Sequence, residues 1–378
     1  MVRREIEDKI LKDFKRNKII TLLGPRQVGK TTLLEQITAS SDNPKTLNIN
    51  CDNEDDRLLL QRRSSTELKA LIGNHELVMI DEAQRVENIG LTLKMIGDLK
   101  TKANIIVTGS SSLELGDNIN EPATGRLFEY NLFPFTFSEL VNDRSLRDEQ
   151  RMLYQRLIFG MYPEVVNYPE DSRRTLLTLT NSYLYKDLLS YDGIRKPTLL
   201  QNLVKALALQ VGSEVSYNEL AGLVGADKAT VEKYIDLLEK CFVIFKLPSY
   251  SRNLRNEIKK GKKIYFYDNG IRNAILSNFA MPEQRTDMGA LWENFLISER
   301  LKMNRYRGNY AQMFFWRTQL QQEIDYIEER DGHVSAFEFK WNPKARVNVP
   351  KPFLDGYANS SFEVIIPTNY VGFLSGEF

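Results

Sequence analysis

The first 140 residues alternate short apolar runs with amphipathic stretches. The runs are KIITLL at 18–23, TLNIN at 46–50, ELVMI at 76–80, NIIVTG at 104–109 and LFEYNLF at 127–133. Continuous β-branched and leucine runs of this kind predict strands buried on both faces of a parallel sheet, with helices packed outside. From about Glu139 to Asn202 the period turns helical, through YQRLIFG and RRTLLTLTNSYLYKDLL. A compact segment runs from Leu203 to about Ser251, and from Lys262 the pattern returns to mixed strand and helix. Gly193 and Pro197 mark one linker, and the polar stretch SRNLRNEIKKGKK marks another. The expected organisation is a multidomain α/β protein. Its parts are a parallel-sheet domain at 1–140, a helical connector at 141–202, a helix-turn-helix segment at 203–255 and an α/β tail at 256–378.

Length and composition agree with this division. At roughly 100–200 residues per domain, 378 residues give two to three domains. Lys+Arg 51 against Asp+Glu 50 leaves a net charge of +1, so no global field draws the chain onto nucleic acid or membrane. Any such contact must come from a local patch. Cys51 and Cys241 stand too far apart for a disulfide framework, and with His75 and His333 they do not space as a zinc site. The start MVRREIEDKI has no apolar core, and no run approaches the roughly 18 residues of a membrane span. A cytoplasmic protein with no membrane partner is expected.

The strongest chemical signal is Gly24-Pro25-Arg26-Gln27-Val28-Gly29-Lys30-Thr31, followed by Thr32. It fits G-x-x-x-x-G-K-[ST], directly after one apolar run and directly before a helix. Backbone N–H groups of such a loop curl around phosphates, and a helix N-terminus adds its positive end. Lys30 is placed to reach the terminal phosphate oxygens, and the Thr31 hydroxyl to ligate Mg²⁺. Fifty residues on, the run ending at Ile80 leads into Asp81 and Glu82. Asp81 is the candidate second Mg²⁺ ligand, and Glu82 the candidate base for the attacking water. A GTPase would need a base-reading motif ending in an acid, and Thr101-Lys102-Ala103-Asn104 lacks it, so ATP is the expected nucleotide. Ser110, at the end of the next run, is a candidate contact to the γ-phosphate or the water. A serine-rich turn is the plain alternative. Arg126, before LFEYNLF, is a candidate for stabilising transition-state charge, in cis or in trans from a neighbour in a homo-oligomer. The alternative is a surface arginine.

In the middle segment, Ser216 and Glu219 read as a capping box. The helix they open ends at Gly225. Asp227 can cap a second helix with Val231, Tyr234, Ile235 and Leu238 on one face. With the strand Phe242 to Leu247 this is a helix-turn-helix with a wing. Glu232, Asp236 and Glu239 offset Lys228 and Lys233 on the second helix, where a groove-reading helix would carry a basic excess. Arg252, Arg255, Lys259, Lys260, Lys262 and Lys263 offer a local basic patch for DNA, or a solvated charge run.

In the tail, Asp331-Gly332 is a strong hairpin signal. A two-residue turn pairs Arg330 with His333. It then sets Asp325 opposite Glu338 and Glu323 opposite Lys340 on one face, with Ile324–Phe339 and Tyr326–Phe337 on the other. Opposed carboxylates imply a shared proton, a nearby cation or a metal. With Lys340 alongside, D-x12-E-x-K is the arrangement in which metal-dependent nucleases hold Mg²⁺. A wet polar face is the alternative.

GPRQVGKTT, IDEAQ, TGSSS and GR-x5-LFPFTFSEL, with GMYPEVV, YLYKDLL, GALWENF and EFKWNPK further on, give a resemblance over nearly the whole chain. The chain resembles the AAA-type ATPases of bacteria and archaea that carry a C-terminal domain of unknown function. The resemblance implies an ATPase module, a winged helix and a PD-(D/E)xK, restriction-endonuclease-like tail. It also suggests Glu293, in GALWENF, as a further acid of the tail site. An ATP-driven action on DNA and a non-catalytic, ATP-switched regulator are both compatible with it.

Overall fold

The structure, a computed structural model, describes all residues except 41–43, 100, 111–124, 185–187, 189–195, 251–260, 319, 358 and 378, together with the side chains of 182–184. The linker expected at Gly193, the basic residues Arg252, Arg255, Lys259 and Lys260, and Ser111 and Ser112 lie outside the described residues. The rest falls into two compact units, Met1–Phe133 with Lys240–Phe242, and Pro134–Glu239 with Val243–Phe378. The boundaries expected near 202 and 255 both fall inside the second unit. No described helix is long and apolar enough to cross a membrane.

The first unit opens with helix α1 (Glu7–Asp13) and strand β1 (Ile19–Leu23), whose five residues are all buried. Helices α2 (Lys30–Ser40), α3 (Glu54–Leu60), α4 (Ser65–Ile72) and α5 (Ile89–Asp98) alternate with β2 (Thr46–Asn50), β3 (Leu77–Asp81), β4 (Asn104–Gly109) and β5 (Leu127–Asn131). The strands form one sheet in the order β2-β3-β4-β1-β5, parallel throughout. Every apolar run singled out in this region is therefore a strand; β1, β3 and β4 are buried on both faces, while the edge strands β2 and β5 are partly exposed. The register sets Leu23 beside Gly109 and Ile80 beside Val107. The carboxyl ends of β1, β3 and β4 thus converge on one edge of the sheet, where ligands of open α/β sheets bind.

The second unit begins with short helices α6 (Phe137–Asp143), α7 (Leu146–Arg151), α8 (Leu153–Phe159), α9 (Pro163–Asn167) and α10 (Ser172–Thr178). Next come α11 (Pro197–Leu209), β6 (Glu214–Val215), α12 (Tyr217–Val224), α13 (Lys228–Lys240), β7 (Ile244–Pro248) and β8 (Lys262–Phe266). The Ser216 side chain accepts the Glu219 N–H at the start of α12, and Asp227 accepts the Thr230 N–H at the start of α13. Val231, Tyr234, Ile235 and Leu238 are buried. β6, β8 and β7 form an antiparallel sheet.

The chain continues through α14 (Asn269–Ile275), α15 (Met288–Arg307), β9 (Gln312–Arg317), β10 (Glu323–Arg330), β11 (His333–Phe339), α16 (Lys351–Gly356), β12 (Ser360–Ile365) and α17 (Tyr370–Ser375). The sheet order is β12-β11-β10-β9, with only the β11–β12 pair parallel. Asp331 and Gly332 both take positive φ, 53° and 78°, as a two-residue turn matching strand twist requires. The register follows from it, with Arg330 opposite His333 and Tyr326 opposite Phe337. Beyond Tyr326 the ladder stops. Between Ile324 and Ile327 the pairing with β9 shifts by one residue, a β-bulge. The bulge corrects the expected faces. Ile324 joins Ile327, Val334 and Ala336 in one core cluster, while Tyr326, Phe337 and Phe339 pack around Phe373 on α17.

Candidate active site

In the first unit, the glycine-rich loop leaves β1 at Gly24. A Cβ there would stand 2.3 Å from the Leu132 carbonyl oxygen, so only glycine allows this approach. Lys30 is buried and its Nζ donates to the carbonyls of Gly24 and Pro25 at 2.8 and 3.1 Å. The lysine thus lies across the curl of its own loop. Thr31 Oγ1 donates to Asp81 Oδ2 at 3.1 Å, which brings together the hydroxyl and carboxylate fifty residues apart. Both are hard oxygen donors, the set that Mg²⁺ takes. Thr108, next to Ile80 and Asp81 by strand register, donates its hydroxyl to Asp81 Oδ1. The backbone N–H of Glu82 donates to both Asp81 Oδ1 and Thr108 Oγ1, each at 3.2 Å. Asp81 is held from three sides.

Glu82 takes the left-handed conformation, φ 51°, which L side chains seldom adopt and which clusters at functional sites. Gln84 Nε2 donates to Glu82 Oε2 at 2.5 Å and to Ser110 Oγ at 3.0 Å. Glu82 and Ser110 are therefore joined through one amide. Thr108 and Gln84 lie inside TGSSS and IDEAQ, yet neither carries a signal of its own in the sequence. Gln27, Val28, Gly29 and Thr32 line the same loop, and Arg26 is half-buried beside them.

Arg126 is not part of this group. Ile19 pairs with Leu127, so Arg126 stands at the amino end of β1 and its N-terminal neighbours, one whole strand from the loop. At about 3.3 Å per residue that is about 16 Å. Its guanidinium pairs with Asp98 at 2.7 Å. The cis role open in the sequence is corrected by this placement, because the parallel register fixes Arg126 at the far edge of the sheet.

In the second unit, the tail residues do come together. Asn294 on α15 binds both backbone polar groups of Phe266, accepting its N–H at 2.7 Å and donating to its carbonyl at 3.0 Å. That clamp sets the neighbouring Glu293 against β8. Tyr265 donates its hydroxyl to Glu293 at 2.6 Å, and Lys263 reaches Glu293 at 3.2 Å and Glu323 at 2.5 Å. Lys263 and Tyr265 are two residues apart and so share one face of their strand. Asp325 accepts the Phe339 N–H at 2.8 Å, and Lys340 pairs with Glu338 at 2.6 Å. The sequence sets Glu323 on the polar face of the hairpin and Lys263 in a basic run, but it brings neither to Glu293 and gives no signal for Tyr265, because nothing in the local sequence links β8 to the hairpin.

Burial, then the charge of Asp325, pushes the Glu293 carboxyl up to about 7, against the opposing pull of Lys263 and Tyr265. Burial also raises Asp325 and Glu338. Lys263 is almost fully buried, which lowers it, yet the charges of Glu293, Asp325 and Glu323 carry it well above the lysine range. The second carboxylate oxygen of Glu338 is buried and has no hydrogen-bond partner among the described residues, an acceptor open to a cation. Against a metal, the Lys263 ammonium already sits on Glu293 and Glu323. Among the described residues no group of three or more His, Cys, Asp or Glu side chains is arranged to hold a metal ion.

Fold and loop define a P-loop protein of the AAA ATPase type. Residues 16–141 match the AAA domain, residues 150–281 a domain of unknown function (DUF8612), and residues 288–369 another (DUF4143). The chain thus carries an AAA-type P-loop domain followed by two domains of unknown function. An uncharacterized protein of Mycobacterium tuberculosis is 26% identical over 344 residues, covering 89% of this chain and 74% of its own. One from Methanocaldococcus jannaschii is 23% identical over 349 residues, covering 86% and 75%. The Walker-type ATPase of Pyrococcus abyssi shares the fold, with a TM-score of 0.50 and 18% identity over 73% of this chain and 96% of that one.

Proposed function

We propose that the chain binds ATP with Mg²⁺, hydrolyses it, and couples hydrolysis to an action on DNA. The observation that carries the nucleotide half is the 3.1 Å contact between Thr31 and Asp81. Lys30 binds the terminal phosphates, Thr31 and Asp81 hold the metal, and Glu82 orients and deprotonates water, with Gln84 fixing its carboxylate. Bound Mg²⁺ supplies charge neutralisation on the phosphate oxygens. Ser110, tied to Glu82 through Gln84, serves the same end of the site. Arg126 acts in trans, from a neighbouring copy in a homo-oligomer.

The DNA half rests on the second unit. Its order α11-β6-α12-α13-β7-β8 supports a winged-helix reading, and Asp325 and Glu338 on the β10–β11 hairpin, with Glu293 on α15, support a nuclease-like one. The gathering of Glu293, Asp325, Glu338 and Lys340 supports that reading, as does the Glu338 oxygen unpartnered among the described residues. One observation favours a second reading, an ATP-switched regulator with an inactive tail: the Lys263 ammonium seated among the acids.

Calorimetric titration of the full chain with ATP and Mg²⁺ tests the first half. Binding is expected in the wild type and lost in a folded Lys30→Ala variant. Unchanged affinity in the variant would sink the assignment. ATP turnover with and without DNA, across a salt series, separates the two readings of the second half.

A further inference from the structure

Arg4 lies twelve positions before the residues matched to the AAA domain begin at 16, and it is 3% exposed. A guanidinium is seldom buried so fully, because its desolvation is costly unless its donors are used. Arg4 Nη1 donates to the Val28 carbonyl at 3.0 Å, and Nη2 donates to the Phe133 carbonyl. One planar fork therefore joins the phosphate loop to the segment leaving β5. That segment also meets the loop at Gly24, where the Leu132 carbonyl stands against the glycine.

The Val28 carbonyl belongs to the same peptide plane as the Gly29 N–H. In a trans peptide the two point in opposite directions. Drawing the carbonyl back onto Arg4 turns the Gly29 N–H out to the other side, toward the phosphates the loop is built to hold. The guanidinium also places a positive charge behind the curl, reinforcing the end of α2. Arg4 itself is held in place: Val2 and Ile6 are buried, the Val2 carbonyl accepts from Gln36 at 3.2 Å, and Ser40 donates to Glu7 at 2.8 Å. Both Gln36 and Ser40 lie on α2, so the strap and the loop are anchored to one helix.

We propose that Arg4 is a positioning residue for the nucleotide, fixing the Val28–Gly29 peptide so that its N–H faces the phosphates. The assignment rests on the nucleotide-binding reading above. In the full chain, Arg4→Ala is expected to weaken ATP and ADP binding by about tenfold, the scale of a lost charge-assisted hydrogen bond. Binding is measured by calorimetry with Mg²⁺ at a temperature where melting shows the variant folded. Methylguanidinium, which fits the space vacated, is expected to restore most of the lost affinity; a residue that only holds the fold would show no such rescue of binding. Arg4→Lys keeps the charge and reaches one carbonyl instead of two, so an intermediate affinity is expected, and it serves if Arg4→Ala does not fold. Wild-type affinity in either folded variant, or no rescue, overturns the Arg4 assignment and leaves nucleotide binding standing. A wild-type chain that binds no ATP overturns both.

Discussion

Asp325 on β10 holds the backbone of β11 at Phe339, the residue next to Glu338. Asp325 accepts the N–H of Phe339 at 2.8 Å, and burial, then the charge of Asp325, raises the Glu338 carboxyl. Like charges repel, and each is compensated by a donor, the Phe339 N–H for Asp325 and the Lys340 ammonium for Glu338. These two donors let buried acids persist at the end of an ordinary hairpin.

Glu82→Gln keeps shape and the link to Gln84 while removing the base. ATP binding should stay within about twofold of wild type while turnover falls at least about a hundredfold, the scale of a lost general base. Steady-state phosphate release checks it. Near-normal turnover would reduce Glu82 to a strand-end carboxylate.

The hairpin shows what the sequence makes legible and what it does not. Asp331-Gly332 dictated a turn with two positive φ values, and with it the pairs from Arg330–His333 to Tyr326–Phe337. The bulge was not legible, because it arises from pairing with β9 and leaves no mark within β10. Lys263 was invisible for a related reason: read alone it belongs to a polar linker, and only the sheet brings it to Glu293. In the first unit the motif spacing carried Lys30, Thr31 and Asp81 to one place, since parallel strands put their carboxyl ends on one edge. The same register removed Arg126 from that edge, a consequence of strand order that one sequence does not disclose. Arg4 lacked any motif, and its partners are backbone carbonyls, which no side-chain pattern records.

If Arg126 serves a nucleotide, that nucleotide is a neighbouring copy's. ATP turnover per chain is expected to rise with protein concentration as copies associate, and Arg126→Ala to abolish the rise while leaving binding of ATP unchanged. Turnover independent of concentration in the wild type would leave Arg126 a structural residue paired with Asp98.

Glu293 sets a pH dependence in the second unit. Its folded-state value, near 7, lies above that of an unfolded glutamate, so the native state binds this proton more tightly. Its contribution to stability is full below the unfolded value and is lost as pH rises through the folded one. Glu293 and Asp325 titrate as a cluster, so the window belongs to both. All three tryptophans, Trp292, Trp316 and Trp341, lie in the second unit, and their fluorescence reports its melting. The transition should fall as pH rises from about 5 to about 7.5, and Glu293→Gln should flatten the slope. An equal slope in the variant would assign the effect to other groups.

Lys263 decides what the acidic cluster is. Its side chain is 2% exposed, against 16% for Glu293 and 29% for Glu323, so the pairs it forms are shielded from water. Removing one partner of such a pair strands the other's charge, a loss of about 3–5 kcal/mol. Lys263→Met keeps the length of the side chain and discards the ammonium. The second unit of the full-length variant should therefore melt earlier, and more so at high pH, where Glu293 cannot take up a proton. The space released lies between the carboxylates of Glu293 and Glu323, oxygen donors of the kind a hard divalent ion takes. Mg²⁺ at millimolar concentration is expected to restore part of the lost stability in Lys263→Met, and to shift the wild type less. Asp325→Asn on the same background should remove the restoration. If Mg²⁺ moves the wild type as far as the variant, the ion is held without displacing the lysine, and a working nuclease-like site becomes the better account. If it moves neither, the acids are an ion-pair network around Lys263, and the ATP-switched regulator is favoured.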